Sequence, residues 1–283
     1  MSDHDNIRQN VSRAYASVVS RPAPEGSCCT PVQKGTLVKL AGYQEDELEA
    51  LPADAVVNSF GCGNPLAFSE VQEGDVVLDL GSGAGIDLLI AAKQVGPKGR
   101  VIGVDMTDEM IEKARQIIDE SGLNNIEVRK GLIEDLPVES ASVDWVISNC
   151  VINLSPEKEK VFAEIARVLK PGGQMSVSDV VAQDLPEPVR DNLELYNCCV
   201  AGAISEEAYC DGLRRAGLAN VEVRERIEYD VAQIEGLVRS DQRAYNKNTC
   251  CGGETDDSVA FDGLAALCKG KVWSAKIHAQ KPA

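Results

Sequence analysis

A glycine-rich turn between two apolar segments constrains the fold of this chain more than any other feature. Residues 76–81 read VVLDLG, the turn continues through SGAG to residue 85, and residues 86–95 read IDLLIAAKQV. Glycine is needed where a backbone turns sharply and lets a ligand approach closely. The order therefore predicts a buried strand, a ligand-binding turn and a helix, which together open a parallel α/β sheet.

The same alternation continues along the chain. A helix beginning after Thr107, its predicted N-cap, ends at Gly122, and a second opens at Pro156 and closes at Gly172 and Gly173. Further strands are predicted at 100–106, 126–131, 143–149 and 174–181. Strands and helices at this spacing predict an α/β fold of the Rossmann-like, doubly wound type with a mostly parallel sheet.

The flanking regions predict an N-terminal layer and a C-terminal cover of helices and strands. At the N-terminal end, residues 5–20 have helical periodicity, and residues 21–64 are irregular with one short helix near 45–51. At the C-terminal end, residues 185–215 are predicted to be helical, and late strands are predicted at 221–231 and 271–280. We divide the chain into an N-terminal helical and loop layer (1–70), a cofactor-binding domain (71–184) and a substrate-site cover with the C-terminal region (185–283).

Charge and composition exclude several classes of function. The formal net charge is −17, so the chain lacks the basic surface that nucleic-acid binding requires, and docking on an anionic membrane is disfavoured. The N-terminus is polar, and no apolar run approaches the length of a membrane span. We expect a cytoplasmic protein with neither a nucleic-acid nor a membrane partner.

Cysteine is abundant and histidine is scarce. The chain has ten cysteines, and adjacent pairs occur at 28–29, 198–199 and 250–251, whereas the two histidines are His4 and His278 near the termini. A reducing compartment keeps thiols reduced, so the clustering of the cysteines indicates thiol chemistry. A histidine-based zinc site or a Cys–His dyad in the core is therefore not expected.

The glycine turn predicts a nucleoside cofactor. Its spacing is GxGxG, and Ile86 stands where a dinucleotide-binding turn would have glycine, which favours S-adenosylmethionine over NAD. Asp79 is expected to meet the cofactor's amino group and Asp105 its ribose, while residues 131–137 border the adenine. The candidate cofactor-binding residues are Asp79, Gly81, Ser82, Gly83, Gly85, Asp105, Met106, Ile133, Glu134 and Asn149.

Three cysteine-containing segments are candidates for the acceptor site. Cys150 follows the fourth predicted strand, at the edge of the sheet where ligands bind in open α/β folds. Cys62 lies in a glycine-flanked loop before the cofactor domain, and Cys198 and Cys199 lie on the predicted helical cover. Both segments are expected to fold over the same face of the sheet as Cys150.

Seven segments in this order resemble the arsenite methyltransferases, which belong to the class I S-adenosylmethionine-dependent methyltransferases. They are SFGCGNP, LDLGSGAGID, GVDMTDEM, SNCVINLSP, RVLKPGG, SVSDVV and CVAGA, and they span about residues 56 to 204. SNCVINL is the most specific of them, because other methyltransferases of this fold have no reason to place a cysteine there. Beyond residue 230 little resemblance remains.

The resemblance implies that Cys62, Cys150 and Cys199 bind As(III). It also implies that an N-terminal cysteine takes part in a thiol–disulfide relay, and both Cys28 and Cys29 are candidates. Cys250 and Cys251 have no secure counterpart, so shuttling of arsenic and an incidental surface position both stay open.

Methyl transfer to arsenic agrees with the abundance of cysteine and the absence of core histidine. A thiophilic centre prefers thiolates, and arsenic bound to three of them keeps a lone pair that attacks a sulfonium methyl without a general base. Transfer oxidises arsenic, so a thiol reductant of the thioredoxin or glutathione type is expected as a partner. The alternatives are a carbon or oxygen methyltransferase of the quinone-biosynthesis type and a non-enzymatic sensor or buffer for a soft metal.

Overall fold

A computed structural model describes residues 2–20, 43, 51–52, 55, 63–67, 69–229, 233–234 and 266–283. The short helix predicted near 45–51 falls outside these ranges except for its last residue. The cysteines that also lie outside them are Cys28, Cys29, Cys62, Cys250 and Cys251.

A seven-stranded sheet forms the centre of the molecule. Its strands are β1 (Val76–Leu80), β2 (Arg100–Asp105), β3 (Ile126–Lys130), β4 (Val143–Asn149), β5 (Leu169–Ala182), β6 (Ala219–Glu228) and β7 (Val272–Gln280). The spatial order is β3-β2-β1-β4-β5-β7-β6. Strands β1 to β5 pair in parallel, and β7 runs antiparallel between β5 and β6. The predicted mostly parallel, doubly wound sheet is confirmed.

Helices cover both faces of this sheet. They are α1 (Asp3–Val19), α2 (Ile86–Val95), α3 (Asp108–Ser121), α4 (Lys158–Val168), α5 (Glu187–Arg190), α6 (Leu193–Asn197) and α7 (Glu206–Arg215), with a 3₁₀ turn at Ile152–Leu154. Ser2 begins α1 with a capping box to Asp5, and Gly122 ends α3 in a left-handed conformation. Among the described helices, none is both long and apolar enough to cross a membrane.

The core is divided between the two faces of the sheet. One face buries α2 and α3, whose apolar residues include Leu88, Leu89 and Ile117. The other buries α4 and α7, where the rings of Phe162 and Tyr209 pack with centroids 5.1 Å apart. Because α2 and α4 lie on opposite faces, the strands between them are buried on both sides, as parallel strands require.

Parallel pairing of β1 with β4 decides where a ligand can bind. Leu80 pairs with Ser148, so the glycine turn after β1 and the turn after β4 leave the sheet side by side. The chain order reverses between these two strands, since β2 and β3 lie on one side and β5 on the other. Such a switch point leaves a crevice at the carboxyl ends of the strands.

The predicted helix that closes at Gly172 and Gly173 is too long. Helix α4 ends at Val168, because Leu169 is fully buried and pairs with Val143 as the first residue of β5. Burial of the Leu169 side chain in the sheet therefore ends the helix earlier than the glycines at 172 and 173 predict.

The prediction of a helical segment over 185–215 is wrong in its middle part. The chain forms α5 and α6, leaves the helix at Asn197, and resumes helical structure only at Glu206. Cys198 and Cys199 therefore lie in a turn rather than on a helix. Cys199 has a φ of +64°, which an α-helix does not contain.

Asn125 fixes the end of α2 against the start of β3. Its side-chain amide donates hydrogen bonds to the carbonyl oxygens of Ala92, at 3.0 Å, and Gly96, at 2.9 Å. We expect Asn125→Ala to lower the free energy of unfolding by about 1–3 kcal/mol, because two hydrogen bonds to backbone carbonyls are lost. Chemical denaturation measures the change. The neighbouring Asn124 is exposed, so Asn124→Ala is the matched control, and equal effects of the two substitutions would contradict the prediction.

Candidate cofactor and acceptor site

A cavity open to solvent lies at the carboxyl ends of the central strands, with about 980 Å³ of empty space that includes its open mouth. All ten predicted cofactor-binding residues line it: Asp79, Gly81, Ser82, Gly83, Gly85, Asp105, Met106, Ile133, Glu134 and Asn149. Cys150, Val151 and Leu154 line the same cavity. A cofactor and an acceptor held near Cys150 would thus share one continuous space.

The glycine turn forms the floor of this cavity. Gly81 has a φ of +66°, and a Cβ there would lie 2.4 Å from a methyl carbon of Val151, so both the backbone conformation and the close approach require glycine. The buried hydroxyl of Ser82 has no hydrogen-bond partner among the described residues. An unpaired buried polar group in a cavity wall is a position that a polar ligand can satisfy.

Three buried carboxylates give the cavity its electrostatic character. Asp79, Asp87 and Asp105 are each at most 9% exposed. Burial, followed by the charges of Asp87 and Asp105, raises the pKa of Asp79 well above its usual range. Burial also raises the pKa of Asp105. S-adenosylmethionine carries a positive sulfonium and a positive amino group, so this wall fits it in charge.

Asp105 is oriented by backbone donors. Its Oδ2 accepts a hydrogen bond from the backbone N–H of Gly83 at 3.0 Å, and its Oδ1 accepts one from the N–H of Thr107 at 2.8 Å. The N-cap position of Thr107 is as predicted, but its side chain does not cap α3 and instead donates to the hydroxyl of Ser12. Each oxygen of Asp105 keeps a lone pair for a further donor.

Asn149 connects the cofactor side of the cavity to the loop that contains Gly63. Its side-chain amide donates to the hydroxyl of Tyr43 at 2.9 Å and to the carbonyl of Gly63 at 2.6 Å, and its Oδ1 accepts from the N–H of Gly63. The hydroxyl of Tyr43 donates to Asp87 at 2.7 Å. Burial and then the charge of Asp87 raise the pKa of Tyr43, which keeps this hydroxyl protonated as a donor.

Helix α1 forms a wall over the cavity, lined by Arg8, Val11 and Tyr15. Arg8 Nε donates to Glu134 at 3.1 Å, and its Nη2 pairs with Glu157. Tyr15 donates to the carbonyl of Asn197 at 3.2 Å. The helix therefore contacts both the cofactor side and the segment that leads to Cys199.

Cys150 lines the cavity, and Cys199 lies against Cys150. Both have left-handed backbones, with φ values of +59° and +64°, which are uncommon for residues other than glycine. The thiol of Cys199 donates to the carbonyl oxygen of Cys150 at 2.6 Å. Cys150 is disulfide-bonded in this structure.

The turns that carry these cysteines pack directly on each other. A Cβ on Gly202 would lie 2.3 Å from the carbonyl oxygen of Asn153, so the second turn requires glycine for this approach. The hydroxyl of Tyr196 donates to the carbonyl of Leu154 at 3.2 Å. The sequence segments SNCVINL and CVAGA thus form one structural unit.

Other cysteines are placed differently. Cys198 is buried beside Cys199, Cys210 lies on α7, and Cys268 precedes β7. Within the described ranges, no group of three or more His, Cys, Asp or Glu side chains could hold a metal ion. Cys62, the third cysteine predicted to bind As(III), lies outside those ranges.

Sequence reasoning missed three residues of the site. Asp87 is a carboxylate in the first turn of a buried helix, and that unusual position was the available signal. Arg8 lies on the polar face of a helix that was predicted, but nothing in its surroundings indicated a contact with Glu134. Tyr43 lies in an irregular segment, where no periodicity points to its partner Asp87.

Comparison with known proteins connects this site to a family. Residues 71–246 match the model of a methyltransferase domain. The arsenite methyltransferase of Halobacterium salinarum is 40% identical over 238 residues, which cover 80% of this chain and 61% of that protein. That of Aquipseudomonas alcaligenes is 40% identical over 224 residues, covering 76% of this chain and 62% of the relative. The chain thus spans about three fifths of the length of these curated relatives.

A solved structure agrees with the curated relatives. CrArsM, an arsenic(III) S-adenosylmethionine methyltransferase from Chlamydomonas reinhardtii, is 32% identical and superposes with a TM-score of 0.60. The match covers 89% of this chain and 75% of that one.

The raised pKa of Asp79 predicts that cofactor binding is linked to pH. A cationic ligand favours the carboxylate, so binding releases a proton below the raised pKa, and affinity increases with pH until that pKa is passed. Calorimetry with S-adenosylmethionine in two buffers of different ionisation enthalpy measures the released proton.

Asp87→Asn should reduce this pH dependence, because it removes one of the charges that raise the pKa of Asp79. Asp108 is exposed at the start of α3, so Asp108→Asn is the matched control. Affinity that does not vary with pH in the unmodified protein would contradict the assignment.

Proposed function

Because this chain belongs to the arsenite methyltransferase family within the methyltransferase-domain proteins, we propose that it transfers a methyl group from S-adenosylmethionine to cysteine-bound As(III). The observation that carries the proposal is the contact of Cys199 with Cys150, which lines the cofactor cavity. A methyltransferase for carbon or oxygen acceptors does not need two thiols in that place.

The wall of the cavity would bind the cofactor through groups already oriented for it. Asp79 receives the amino group, and Asp105 receives the ribose hydroxyls with the lone pairs that its backbone donors leave. Ser82 gains the partner that it lacks. Ile133 and Glu134 border the adenine. When bound, S-adenosylmethionine supplies an electrophilic methyl group on a positively charged sulfur.

The acceptor would be held by thiolates from Cys62, Cys150 and Cys199. Three thiolates balance the formal 3+ charge of the arsenic and match its preference for soft ligands. The lone pair on arsenic forms the new arsenic–carbon bond, and the electrons of the broken carbon–sulfur bond stay on sulfur. The wall formed by Val11, Val151 and Leu154 keeps this end of the cavity apolar, which limits the access of water.

A thiol reductant would be needed at two stages. Cys150 is disulfide-bonded, and a disulfide sulfur cannot bind arsenic until two electrons reduce it to the thiol. Methyl transfer also raises the formal oxidation state of arsenic by two, and a dithiol oxidised to a disulfide returns those electrons. A thioredoxin or glutathione-type donor can reduce the disulfide and can also return two electrons to arsenic. Such donors are present in a reducing cytoplasm.

Cys28 or Cys29 is proposed as the relay thiol between the reductant and the site. Both lie outside the described residues, and so do Cys250 and Cys251. The choice between Cys28 and Cys29, and the alternatives for the 250–251 pair, are tested by single substitutions.

Cys199→Ser should reduce methylarsenic formation about 100-fold or more, because one ligand that positions the acceptor is lost. Binding of S-adenosylmethionine should be unchanged, since Cys199 is not among the residues that line the cavity. The assay follows methylarsenic by chromatography with elemental detection, with As(III), S-adenosylmethionine and a thiol reductant present.

Cys210→Ser is the matched control, because Cys210 is buried on α7 and free of the cavity. If no methylarsenic forms in the unmodified protein although the cofactor binds, the arsenic assignment fails and quinone-type acceptors are tested next.

A further inference from the structure

A group of two buried polar side chains and one half-buried lysine lies behind the two cysteine turns and has no part in the function proposed above. It consists of Asn153 in the 3₁₀ turn, Lys158 at the start of α4 and Asp179 in β5. Asn153 and Asp179 have no exposed surface. Burying an amide and a carboxylate, with an ammonium half-buried beside them, is costly unless these groups are paired.

Lys158 fixes the path of the chain after Cys150. Its Nζ donates to the carbonyl oxygen of Asn153 at 3.1 Å and to that of Ser155 at 2.9 Å. These two carbonyls belong to the turn that runs from β4 into α4. The ammonium therefore holds the two carbonyl oxygens of this turn together, as a bound cation would.

Asn153 connects the same turn to the sheet. Its Nδ2 donates to Oδ1 of Asp179 at 2.8 Å, and Asp179 also accepts from the N–H of Val180 at 2.9 Å. The hydroxyl of Tyr209, on α7, lies 3.4 Å from Oδ2 of Asp179. The turn that carries Cys150 is thus attached to β5 and α7 through one amide.

The second cysteine turn rests on the same residue. The carbonyl oxygen of Asn153 that Lys158 holds is also the atom against which Gly202 packs, three residues after Cys199. A displacement of Asn153 would therefore move Cys150, to which it is joined by the backbone. It would also move Cys199, because Gly202 packs against Asn153.

Opposite charges balance inside this group. Burial lowers the pKa of Lys158, and the charge of Asp179 opposes that effect. Burial raises the pKa of Asp179 to about 7, and its backbone donor and Lys158 oppose that shift. Each charge therefore partly offsets the effect of burial on the pKa of the other group.

We propose that Asn153, Lys158 and Asp179 are positioning residues that set the distance between the sulfur atoms of Cys150 and Cys199. The role in arsenic binding rests on the function proposed above, whereas the control of the two turns does not. Lys158 would act without contacting the substrate, since both of its hydrogen bonds go to backbone carbonyls.

The first test measures the two turns directly. Lys158→Met removes the ammonium but keeps the length of the side chain, and hydrogen exchange is followed in peptides covering 150–155 and 196–202. We expect about tenfold faster exchange in both, as loss of a charged hydrogen bond predicts, with the strands β1 to β3 unchanged.

Lys160→Met is the matched control, because Lys160 lies on the same helix, is exposed, and pairs only with Glu157 in the described contacts. Lys158→Arg keeps the charge and the donors, so it should restore the exchange rates of the original protein. If Lys158→Met leaves both turns unchanged, or if only the first turn responds, the inference is wrong.

The second test separates positioning from general loss of structure. In Lys158→Met the KM for As(III) should rise about tenfold, while the affinity for S-adenosylmethionine stays the same and Lys158→Arg restores the KM. An equal loss of affinity for both substrates would mean that the cluster has only a structural role, and the inference would be overturned.

The two tests distinguish this inference from the proposed function. If the original protein methylates no arsenic but both turns loosen in Lys158→Met, the proposed function fails and the control of the turns stands. If arsenic is methylated but the turns do not loosen in Lys158→Met, the proposed function stands and the control of the turns fails.

Discussion

The pairing of β1 with β4 is the constraint on which the rest of the site depends. It brings the glycine turn beside the turn that carries Cys150, so closely that a side chain at Gly81 would collide with Val151. Every other element of the site is placed relative to these two turns. Helix α1 covers them, Asn149 joins them to the loop at Gly63, and the Cys199 turn packs on the second of them.

The cofactor half of this arrangement could be predicted from the sequence, because its signals are local. A strand, a glycine turn and a helix follow each other within twenty residues, and Asp105 ends the next strand, so chain order alone implies proximity. The bounds of α2 and β4 agree with the predicted ranges, and the strand order confirms a doubly wound sheet.

The acceptor half could be predicted only in part, because its geometry depends on contacts between distant segments. The helical periodicity around residue 198 does correspond to helices on both sides, α6 and α7. The helix is interrupted between them because Gly202 must approach Asn153 closely. The partners of Arg8 and Tyr43 are likewise distant in sequence. Leu169 shows the same effect in the sheet, where pairing with Val143 ends a helix that local signals would extend.

The left-handed backbones of Cys150 and Cys199 have a consequence for the substrate itself. Such conformations cost about 1–3 kcal/mol each and persist only where neighbouring structure enforces them. An arsenic atom bonded to both sulfurs would act as a cross-link between two separate turns, and the strain of each turn would be shared through that atom. Under the proposed function, release of the product would require both arsenic–sulfur bonds to break, and each turn would then hold its own strain separately again.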